Sequence, residues 1–295
     1  MSPAFLKQIP GVRRVRNALR RLLRPGHFYS PYPDIGFVER HQARIFDREI
    51  ESIPGIDLRA HDQLALVAGF AATYGELPFK DHPSPVLRYH FRNPEFSYAD
   101  AVILYSMLRH FRPRRVIEVG AGFSSALMLD TNQLFLAERI AFTFIEPYPK
   151  RLFSLLRDAD RERNRIIVDA VQNVPLERFA KLAAGDILFV DSSHVAKTGS
   201  DVVQLVGNVL PRLAKGVLVH FHDVFWPFEY PQEWIREGRA WNESYLLKAF
   251  LQFNSAFRIV LFNSYLGLHH RAVVGRHLPL FLQDTGGSLW IEKTA

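Results

Sequence analysis

Cysteine is absent from this chain of 295 residues. Without a thiol the protein forms no disulfide and offers no thiolate ligand to a metal ion. Disulfide-rich secreted domains and cysteine-based zinc sites are therefore excluded. The composition is compatible with a reducing compartment, and we expect the protein in the cytoplasm.

Long apolar runs are also missing. No stretch approaches the roughly 20 consecutive apolar residues that a transmembrane helix requires. Arginines interrupt the N-terminal segment in which a secretory signal would carry its apolar core. The sequence therefore predicts neither a membrane span nor a secretory signal, and its 48% hydrophobic and 23% charged residues are typical of a folded globular protein.

Acidic residues are lacking in residues 1–24, which contain seven of the 37 Lys and Arg residues. The other 30 basic residues balance the 30 Asp and Glu residues, so the net charge of +7 belongs to this segment alone. Its Val and Leu residues recur at helical spacing, which predicts a basic amphipathic helix. Such a helix could pack by its apolar edge on the domain, or it could contact a membrane surface or a nucleic acid. The balanced remainder argues against nucleic acid as the main partner.

The chain divides into three predicted segments. Residues 1–34 hold the basic helix and an aromatic linker, residues 35–112 form a helical extension or cap, and residues 113–295 form an α/β domain. Within the extension, residues 35 to about 80 look mainly helical, and a further helix is predicted from Tyr98 to Phe111.

From Arg114 onward, short apolar strands alternate with helices. This alternation is typical of a mostly parallel sheet with helices on both faces, a doubly wound Rossmann-like fold. Seven strands are predicted, the last two without a clear long helix between them, so that one of them could run antiparallel. The predicted strands are 115–119, 141–146, 166–168, 186–191, 216–220, 257–262 and 288–291.

A glycine turn follows the first strand, as Gly120 and Gly122, and the second strand ends in Glu146, 26 residues after Gly120. Glycines let a ligand approach the main chain closely. A carboxylate at the end of the second strand can accept hydrogen bonds from a ribose diol. The pattern therefore predicts a nucleotide-type cofactor at the carboxyl edge of the sheet.

A nicotinamide-dependent oxidoreductase would share this pattern and is the main alternative function. Two features argue against it. Ser125 stands where a dinucleotide fingerprint has its third glycine, and Glu118 precedes the glycines, where it would repel a diphosphate but not a cationic sulfonium. No Tyr-x-x-x-Lys pair is present either. A non-catalytic protein that binds through its basic N-terminal segment is the third function class.

Polar side chains follow the fourth and fifth strands. The fourth leads into Asp191-Ser192-Ser193-His194, and the fifth into His222 and Asp223. Histidine is a natural general base, and His194 is the main candidate, with His222 and Asp223 as further catalytic candidates. Asp191 and Asp223 could also ligate a hard divalent cation such as Mg²⁺. His220 lies within the buried strand, where a structural role is favoured.

Three stretches resemble the motifs of class I S-adenosylmethionine-dependent methyltransferases: Val116 to Ser125, Phe144 to Pro147, and Asp186 to His194. The third is similar to the branch that includes macrocin-type sugar O-methyltransferases, in which an Asp-x-x-His element supplies a metal ligand and the base. That branch carries paired acidic residues after its fifth strand, whereas this chain has His222-Asp223, so metal dependence stays open.

The resemblance implies S-adenosylmethionine as cofactor and assigns its contacts. Glu118, Gly120 and Gly122 would line the methionine part, Glu146 would hold the ribose, and Asp191 would lie under the cofactor. Near the adenine it places Asp169 and Ala170. The full set of implied cofactor-binding residues is Glu118, Gly120, Gly122, Phe123, Ser124, Ser125, Glu146, Pro147, Asp169, Ala170, Asp191 and Ser192.

Six aromatic residues follow the fifth strand: Trp226, Phe228, Tyr230, Trp234, Trp241 and Tyr245. They could form a wall that stacks on an acceptor, or they could simply be core. The acceptor predicted from the resemblance is a saccharide or another small hydroxyl compound. Nucleobase methylation is disfavoured, because no Asn/Asp-Pro-Pro-Tyr element follows the fourth strand. The protein could form a homo-oligomer.

Overall fold

The computed structural model describes residues 25–295. The described chain folds into two compact units, one with residues 25–47 and 231–240 and the other with residues 48–230 and 241–295. The basic amphipathic helix predicted in residues 1–24 lies outside the described residues. The boundaries predicted at residues 34 and 112 stay predictions.

The smaller unit holds three short helices. They are α1 (Ile35–Arg40), α2 (Gln42–Ile45) and α10 (Gln232–Arg236). Asp34 caps α1, because its carboxylate accepts a hydrogen bond from the Phe37 amide at 3.0 Å. A hydrogen bond from Gln232 Nε2 to Gln42 Oε1, 3.0 Å long, joins α10 to α2.

The larger unit is built on a seven-stranded sheet with the order β3-β2-β1-β4-β5-β7-β6. The five neighbouring strands β3, β2, β1, β4 and β5 pair in parallel. Strand β7 pairs antiparallel with both β5 and β6. The predicted seven-stranded, mostly parallel sheet with one antiparallel strand is confirmed. The strands are β1 (Arg115–Val119), β2 (Ala141–Ile145), β3 (Arg165–Ile167), β4 (Ile187–Val190), β5 (Leu218–Phe221), β6 (Phe257–Phe262) and β7 (Leu289–Lys293).

Two helices precede the first strand of this unit, and the others connect the strands or lie between them. They are α3 (Ala60–Tyr74), α4 (Tyr98–Phe111), α5 (Phe123–Phe135), α6 (Lys150–Leu155), α7 (Asp158–Arg163), α8 (Leu176–Phe179), α9 (Asp201–Gln204), α11 (Glu243–Gln252), α12 (Asn263–His269) and α13 (Arg271–His277). A π-helical turn, Leu205–Val209, continues α9, and 3₁₀ turns occur at Val171–Asn173, Leu210–Arg212 and Pro279–Gln283. Within residues 25–295, no helix has both the length and the apolar character needed to cross a membrane.

The N-terminal extension is less helical than predicted. The helix from Tyr98 to Phe111 has the predicted bounds, but residues 46–59 form no helix. Pro54 and Gly55 interrupt this stretch, and Gly55 and Arg59 both adopt positive φ angles, of 80° and 51°. These left-handed conformations are incompatible with a continuing helix, so the expectation of a mainly helical segment from 35 to 80 is wrong there.

The burial of strands β1, β4 and β5 on both faces explains why their sequences are almost continuously apolar. Every residue from Val116 to Val119, from Ile187 to Val190 and from Leu218 to Phe221 is buried. Helices cover both faces of a parallel sheet, and therefore these strands need no polar alternation. Two polar exceptions, Glu118 and His220, lie within these strands and are fully buried.

Candidate active site

The sheet register brings four strand ends to one edge. Val119 aligns with Ile145 on one side and with Val190 on the other, and Val190 aligns with Phe221. The residues that follow are Gly120, Glu146, Asp191 and His222. They start side by side at the carboxyl edge of the sheet, where ligands bind in doubly wound folds.

Gly120 is required by a close approach between two of these strand ends. Its φ angle is +82°, and a Cβ atom built on it would lie 1.6 Å from the carbonyl oxygen of Asp191. Two hydrogen bonds hold the approach: the Gly120 amide donates to Ile145 O at 3.0 Å, and the Asp191 amide donates to Val119 O at 2.8 Å. Only glycine fits this position.

Glu118 supports the glycine turn from behind. Its carboxylate accepts hydrogen bonds from the hydroxyl groups of Ser124 and Ser125, and the Gly122 amide donates to Ser125 Oγ at 3.0 Å. Burial raises the pKa of Glu118 to about 8. Its side chain has no exposed surface, so a direct contact with a cofactor, as the resemblance implies, is not what this geometry favours.

Two cavities along the sheet edge share Glu146 in their lining. The first, which we call the histidine cavity, has a volume of about 380 Å³, and the second, the apolar cavity, has about 470 Å³. Glu146 lines both, and its two carboxylate oxygens accept hydrogen bonds from the amides of Ala121 at 3.1 Å and Tyr148 at 2.8 Å. These bonds fix the carboxylate between the cavities.

Most of the predicted site residues line one or both cavities. Those at the histidine cavity are Gly120, Gly122, Phe123, Ser124, Glu146, Asp191, Ser192, His194, His222 and Asp223. Those at the apolar cavity are Gly120, Glu146, Pro147, Ala170, Asp191 and Ser192. Asp169 lines neither, because its carboxylate is exposed and accepts hydrogen bonds from the Ala170 amide and Asn173 Nδ2, both at 2.7 Å. Glu118 and Ser125 also line neither cavity.

Three of these residues converge at the floor of the histidine cavity. His194 Nε2 lies 3.4 Å from Asp191 Oδ1 and 3.5 Å from Asp223 Oδ2. One ligand atom from each of the three residues lies within 4.8 Å of the others, a spacing that could hold a metal ion. His194 and Asp223 have φ angles of 58° and 57°. Left-handed backbone at non-glycine residues is strained and often marks a functional site.

A second imidazole lies beside them. His222 Nδ1 is 3.5 Å from Asp191 Oδ1 and 3.6 Å from Asp223 Oδ1, while its Nε2 is 3.4 Å from Asp100 Oδ2. His220, within β5, is stacked on Phe189 with ring centroids 3.8 Å apart and with Nε2 2.8 Å from Ser288 Oγ. The packing of His220 agrees with the structural role favoured for it.

The carboxylates set the charge of these imidazoles. Burial opposes the charged form of His194, but its contacts with Asp191 and Glu243 raise its pKa to about 10. Burial likewise opposes the charge on His222, yet the nearby Asp223 and Asp191 raise its pKa well above the usual value. Burial would raise the pKa of Asp191, but His222 and His194 hold it well below its ordinary range. At neutral pH these shifts favour the imidazolium forms of His194 and His222 beside an ionised Asp191, whereas burial raises the pKa of Asp223.

Comparison with known proteins identifies the family of this sheet and site. A family model for a methyltransferase domain matches residues 117–224, from the first strand through the residues after the fifth. An uncharacterized protein of Archaeoglobus fulgidus is 34% identical over 166 residues, which cover 55% of this chain and 74% of that protein. The chain belongs to the class I S-adenosylmethionine-dependent methyltransferases.

Solved structures similar to this methyltransferase are more distant. The O-methyltransferase TomG from Streptomyces achromogenes, solved with S-adenosylmethionine, is 16% identical with a TM-score of 0.43 over 79% of this chain and 90% of TomG. A Podospora anserina methyltransferase bound to S-adenosylhomocysteine is 15% identical with a TM-score of 0.43 over 88% of this chain and 96% of its own. Both TM-scores are below 0.5, and the family membership therefore does not rest on them.

Two buried carboxylates of the methyltransferase were not predicted from the sequence. Glu243, at the start of α11, shares a hydrogen bond with His194 Nδ1 at 2.9 Å. Asp100, on α4, faces His222 and also accepts hydrogen bonds from Ser288 Oγ at 2.6 Å and Asn263 Nδ2 at 2.9 Å. Each holds one imidazole from the side opposite Asp191. Asn242-Glu243 stands out among the aromatic residues of its loop, but nothing in the sequence of α4 distinguishes Asp100.

The aromatic residues after β5 divide between core and cavity. Trp226, Phe228 and Tyr230 are at most 2% exposed and pack in the core. Trp241 lines the histidine cavity and lies against His194, with ring centroids 4.4 Å apart. Of the six aromatic residues after β5, Trp241 is the one that lines the histidine cavity. A separate cavity of about 540 Å³ lies beside β6, and none of the predicted site residues lines it.

Proposed function

We propose that this methyltransferase transfers the methyl group of S-adenosylmethionine to a hydroxyl oxygen of a small acceptor, a saccharide being the favoured class, in the histidine cavity. The observation that carries the proposal is the convergence of His194, Asp191 and Asp223 on the sheet edge that also bears the glycine turn. A proton acceptor and two hard oxygen ligands beside a sulfonium site suit O-methylation better than other methyl transfers.

The two cavities fit the two ends of the cofactor. Pro147 and Ala170 give the apolar cavity surfaces on which an adenine could lie, and Glu146 stands where a ribose diol would join the two cavities. Gly120 and Gly122 have no side chains, so a ligand in the histidine cavity can approach the main chain at these positions closely. The sulfonium would then point toward Asp191 and the histidines.

Methyl transfer from a sulfonium is an in-line displacement in which the protein mainly positions the reactants. The acceptor hydroxyl must also lose its proton, and we assign this role to His194. The raised pKa of His194, about 10, favours its imidazolium form at neutral pH. His194 can accept a proton only where a positive charge competes for Asp191 and Asp223, and a bound sulfonium provides such a charge.

A divalent cation such as Mg²⁺ fits the same three residues. The donor set is two carboxylates and one imidazole, and Glu243 orients the ring of His194 so that Nε2 faces the carboxylates. Carboxylates that hold the second ring nitrogen are the usual partners of ligating histidines. When bound, the ion would lower the pKa of an acceptor hydroxyl. We therefore propose Asp191, Asp223 and His194 as its ligands; because Nδ1 of His194 is bonded to Glu243, His194 can accept the hydroxyl proton only when no ion occupies its Nε2.

The charge of the histidine cavity bears on the acceptor. Among its lining residues in the described chain, Glu95, Glu146, Asp191 and Asp223 are acidic and only Arg151 is Arg or Lys. With His194 and His222 as imidazolium ions, four negative and three positive charges line the cavity, so the proposal is a small molecule without a large negative charge rather than a nucleic acid. Membrane contact through residues 1–24, a homo-oligomer and a cytoplasmic location stay predictions.

The test measures transfer of the labelled methyl group from S-adenosylmethionine to a panel of saccharides and catechols, with Mg²⁺ or with EDTA. We expect His194→Gln to lower the rate by about 10²–10⁴-fold, the usual contribution of a general base, while S-adenosylhomocysteine binding changes little. His82→Gln, at an exposed histidine that lines neither cavity, is the matched control and should keep full activity.

Two results would contradict the proposal. Retention of activity in His194→Gln would assign the base elsewhere. Binding of NAD without binding of S-adenosylhomocysteine, measured by calorimetry on the wild type, would overturn the cofactor and favour an oxidoreductase. Glu146→Gln should weaken S-adenosylhomocysteine about tenfold, because the ribose loses a charge-assisted acceptor. Glu177→Gln, at an exposed glutamate of α8, is its control.

A further inference from the structure

We propose that Glu95 and Arg151 form the recognition pair for the zwitterionic amino-acid end of the cofactor, with Arg151 taking its carboxylate and Glu95 its ammonium group. Neither residue belongs to the motifs that carry the family resemblance. The inference rests on the proposed function, since it assigns one end of the same ligand.

The position of Arg151 over the glycine turn is the first observation. A Cβ atom built on Gly122 would lie 3.4 Å from Arg151 Cδ, its only neighbour within 4 Å among residues 25–295. The arginine stem therefore passes across the bare main chain of the turn. Arg151 also lines the groove that continues past Ala121 and Glu146, so it stands beside the path between the two cavities.

Glu95 faces Arg151 across the histidine cavity, which both residues line. Arg151 Nη2 lies 2.8 Å from Glu95 Oε1, with side chains 53% and 44% exposed. Glu95 is held in a short loop by Asn93, whose Oδ1 accepts hydrogen bonds from the amides of Glu95 at 3.1 Å and Phe96 at 2.8 Å. These two hydrogen bonds fix the main chain at Glu95 and Phe96.

The charged residues around Glu95 and Arg151 indicate which end of a zwitterionic ligand each of the two would bind. Arg151 is the one Arg or Lys side chain among the described residues that line the histidine cavity, and its neighbours there include Glu146, Asp191 and Asp223. Because the imidazoles of His194 and His222 already face Asp191 and Asp223, a ligand carboxylate in this cavity finds its guanidinium partner at Arg151. A ligand ammonium group next to it would meet Glu95. One arginine and one glutamate side by side thus match an α-amino acid.

The ion pair can exchange partners at little cost. Pairs between half-exposed side chains contribute little to stability, because water screens both charges. Separating Arg151 from Glu95 therefore costs little, and the ligand's carboxylate and ammonium restore one partner to each. A bidentate contact between guanidinium and carboxylate also fixes the orientation of the ligand.

The experiment compares two ligands that share the adenosine and the thioether but differ in the amino-acid end. Calorimetry measures S-adenosylhomocysteine and 5′-methylthioadenosine on the wild type, Arg151→Met and Glu95→Gln. We expect Arg151→Met to weaken S-adenosylhomocysteine at least tenfold and Glu95→Gln several-fold, with 5′-methylthioadenosine within twofold of the wild type in both. Arg151→Lys should recover part of the loss. Lys150→Met, at the adjacent lysine that does not line the histidine cavity, should change neither affinity.

Each other outcome overturns the inference in a distinguishable way. Equal weakening of both ligands by Arg151→Met would mean that the arginine supports the turn rather than the amino-acid end. Unchanged binding of both ligands would place the carboxylate elsewhere. A wild type that binds neither ligand would refute the proposed function as well. Retained binding of 5′-methylthioadenosine shows that each variant is folded.

Discussion

Replacing Gly120 with alanine tests the close approach that shapes the cofactor edge. The new Cβ atom would lie 1.6 Å from the carbonyl oxygen of Asp191, less than half of an ordinary carbon–oxygen contact. Relief requires the ends of β1 and β4 to separate, which breaks the hydrogen bond from the Asp191 amide to Val119 O, 2.8 Å long. The fold cannot relieve the clash by moving a flexible side chain, since the obstructing atom is a main-chain carbonyl oxygen.

The expected loss of stability follows from three contributions. A left-handed non-glycine residue costs about 1–2 kcal/mol, a lost buried hydrogen bond about 1 kcal/mol, and the displaced strand ends a further 1–2 kcal/mol as for overpacking in a core. We therefore expect Gly120→Ala to lower the free energy of unfolding by about 3–5 kcal/mol. Urea unfolding followed by tryptophan fluorescence measures it.

Two other glycines separate the contributions. Gly185 has a φ angle of +83° and no atom of the described chain within 4 Å of a built Cβ, so Gly185→Ala should cost only the conformational strain, about 1–2 kcal/mol. Gly122 has extended φ, and its built Cβ meets Arg151 Cδ at 3.4 Å, the end of a flexible stem, so Gly122→Ala should cost less than about 1 kcal/mol. If Gly120→Ala destabilises the protein no more than Gly185→Ala does, the close approach to Asp191 is not what requires glycine at position 120.

Three further perturbations test buried charges. Burial raises the pKa of Glu118 to about 8, above its value in the unfolded chain, so the folded state keeps the proton to a higher pH. The free energy of unfolding should therefore decrease as the pH rises from about 4.5 to about 8. Glu118→Gln should remove about 1.4 kcal/mol per pH unit of that slope. Arg88→Met leaves the buried carboxylates of Asp130 and Asp160 without their guanidinium partner, and it should lower the free energy of unfolding in urea by about 3–5 kcal/mol. Glu243→Gln should weaken Mn²⁺ binding, followed by electron paramagnetic resonance, about 10–100-fold, because it orients the ring of His194.

The controls use the same measurements. The pH slope is taken as the difference between wild type and Glu118→Gln, which cancels other titrating groups, and identical slopes would contradict the buried ionisation. Arg163→Met breaks an ion pair whose side chains are 60% and 45% exposed and should change stability by less than about 1 kcal/mol. A similar cost for Arg88→Met would contradict its burial. Unchanged Mn²⁺ affinity in Glu243→Gln would show that the ring needs no such support.

Much of the fold was predictable, because its signals are local. Continuous apolar strands alternating with helices indicated the parallel sheet, and the bounds of β1 and α4 were predicted to the residue. The helical prediction for residues 46 to 59 was wrong although Pro54-Gly55 is a turn signal, and the left-handed conformation of Arg59 has no comparable signal in the sequence. Periodic patterns of apolar residues reveal helices and strands because one face is buried. The loop from residue 46 to 59 is mostly exposed, so its sequence carries no such pattern.

The candidate site divides in the same way. His194, Asp191 and Asp223 follow strand ends, and a position at the carboxyl edge of a parallel sheet can be inferred from the chain alone. Glu243 and Asp100 lie on helices 49 and 122 positions from the histidines they hold. No local pattern marks such partners, because only packing brings them together.

The sequence by itself determined which residues stand at the carboxyl ends of the strands, since each strand and the turn after it form from neighbours along the chain. Tertiary structure alone decided what those residues touch. It placed the buried Glu118 carboxyl group against Ser124 and Ser125, and Arg151 beside Glu95 over the glycine turn. The physical reason is distance: hydrogen bonds and ion pairs act within about 4 Å, and only folding brings distant segments that close.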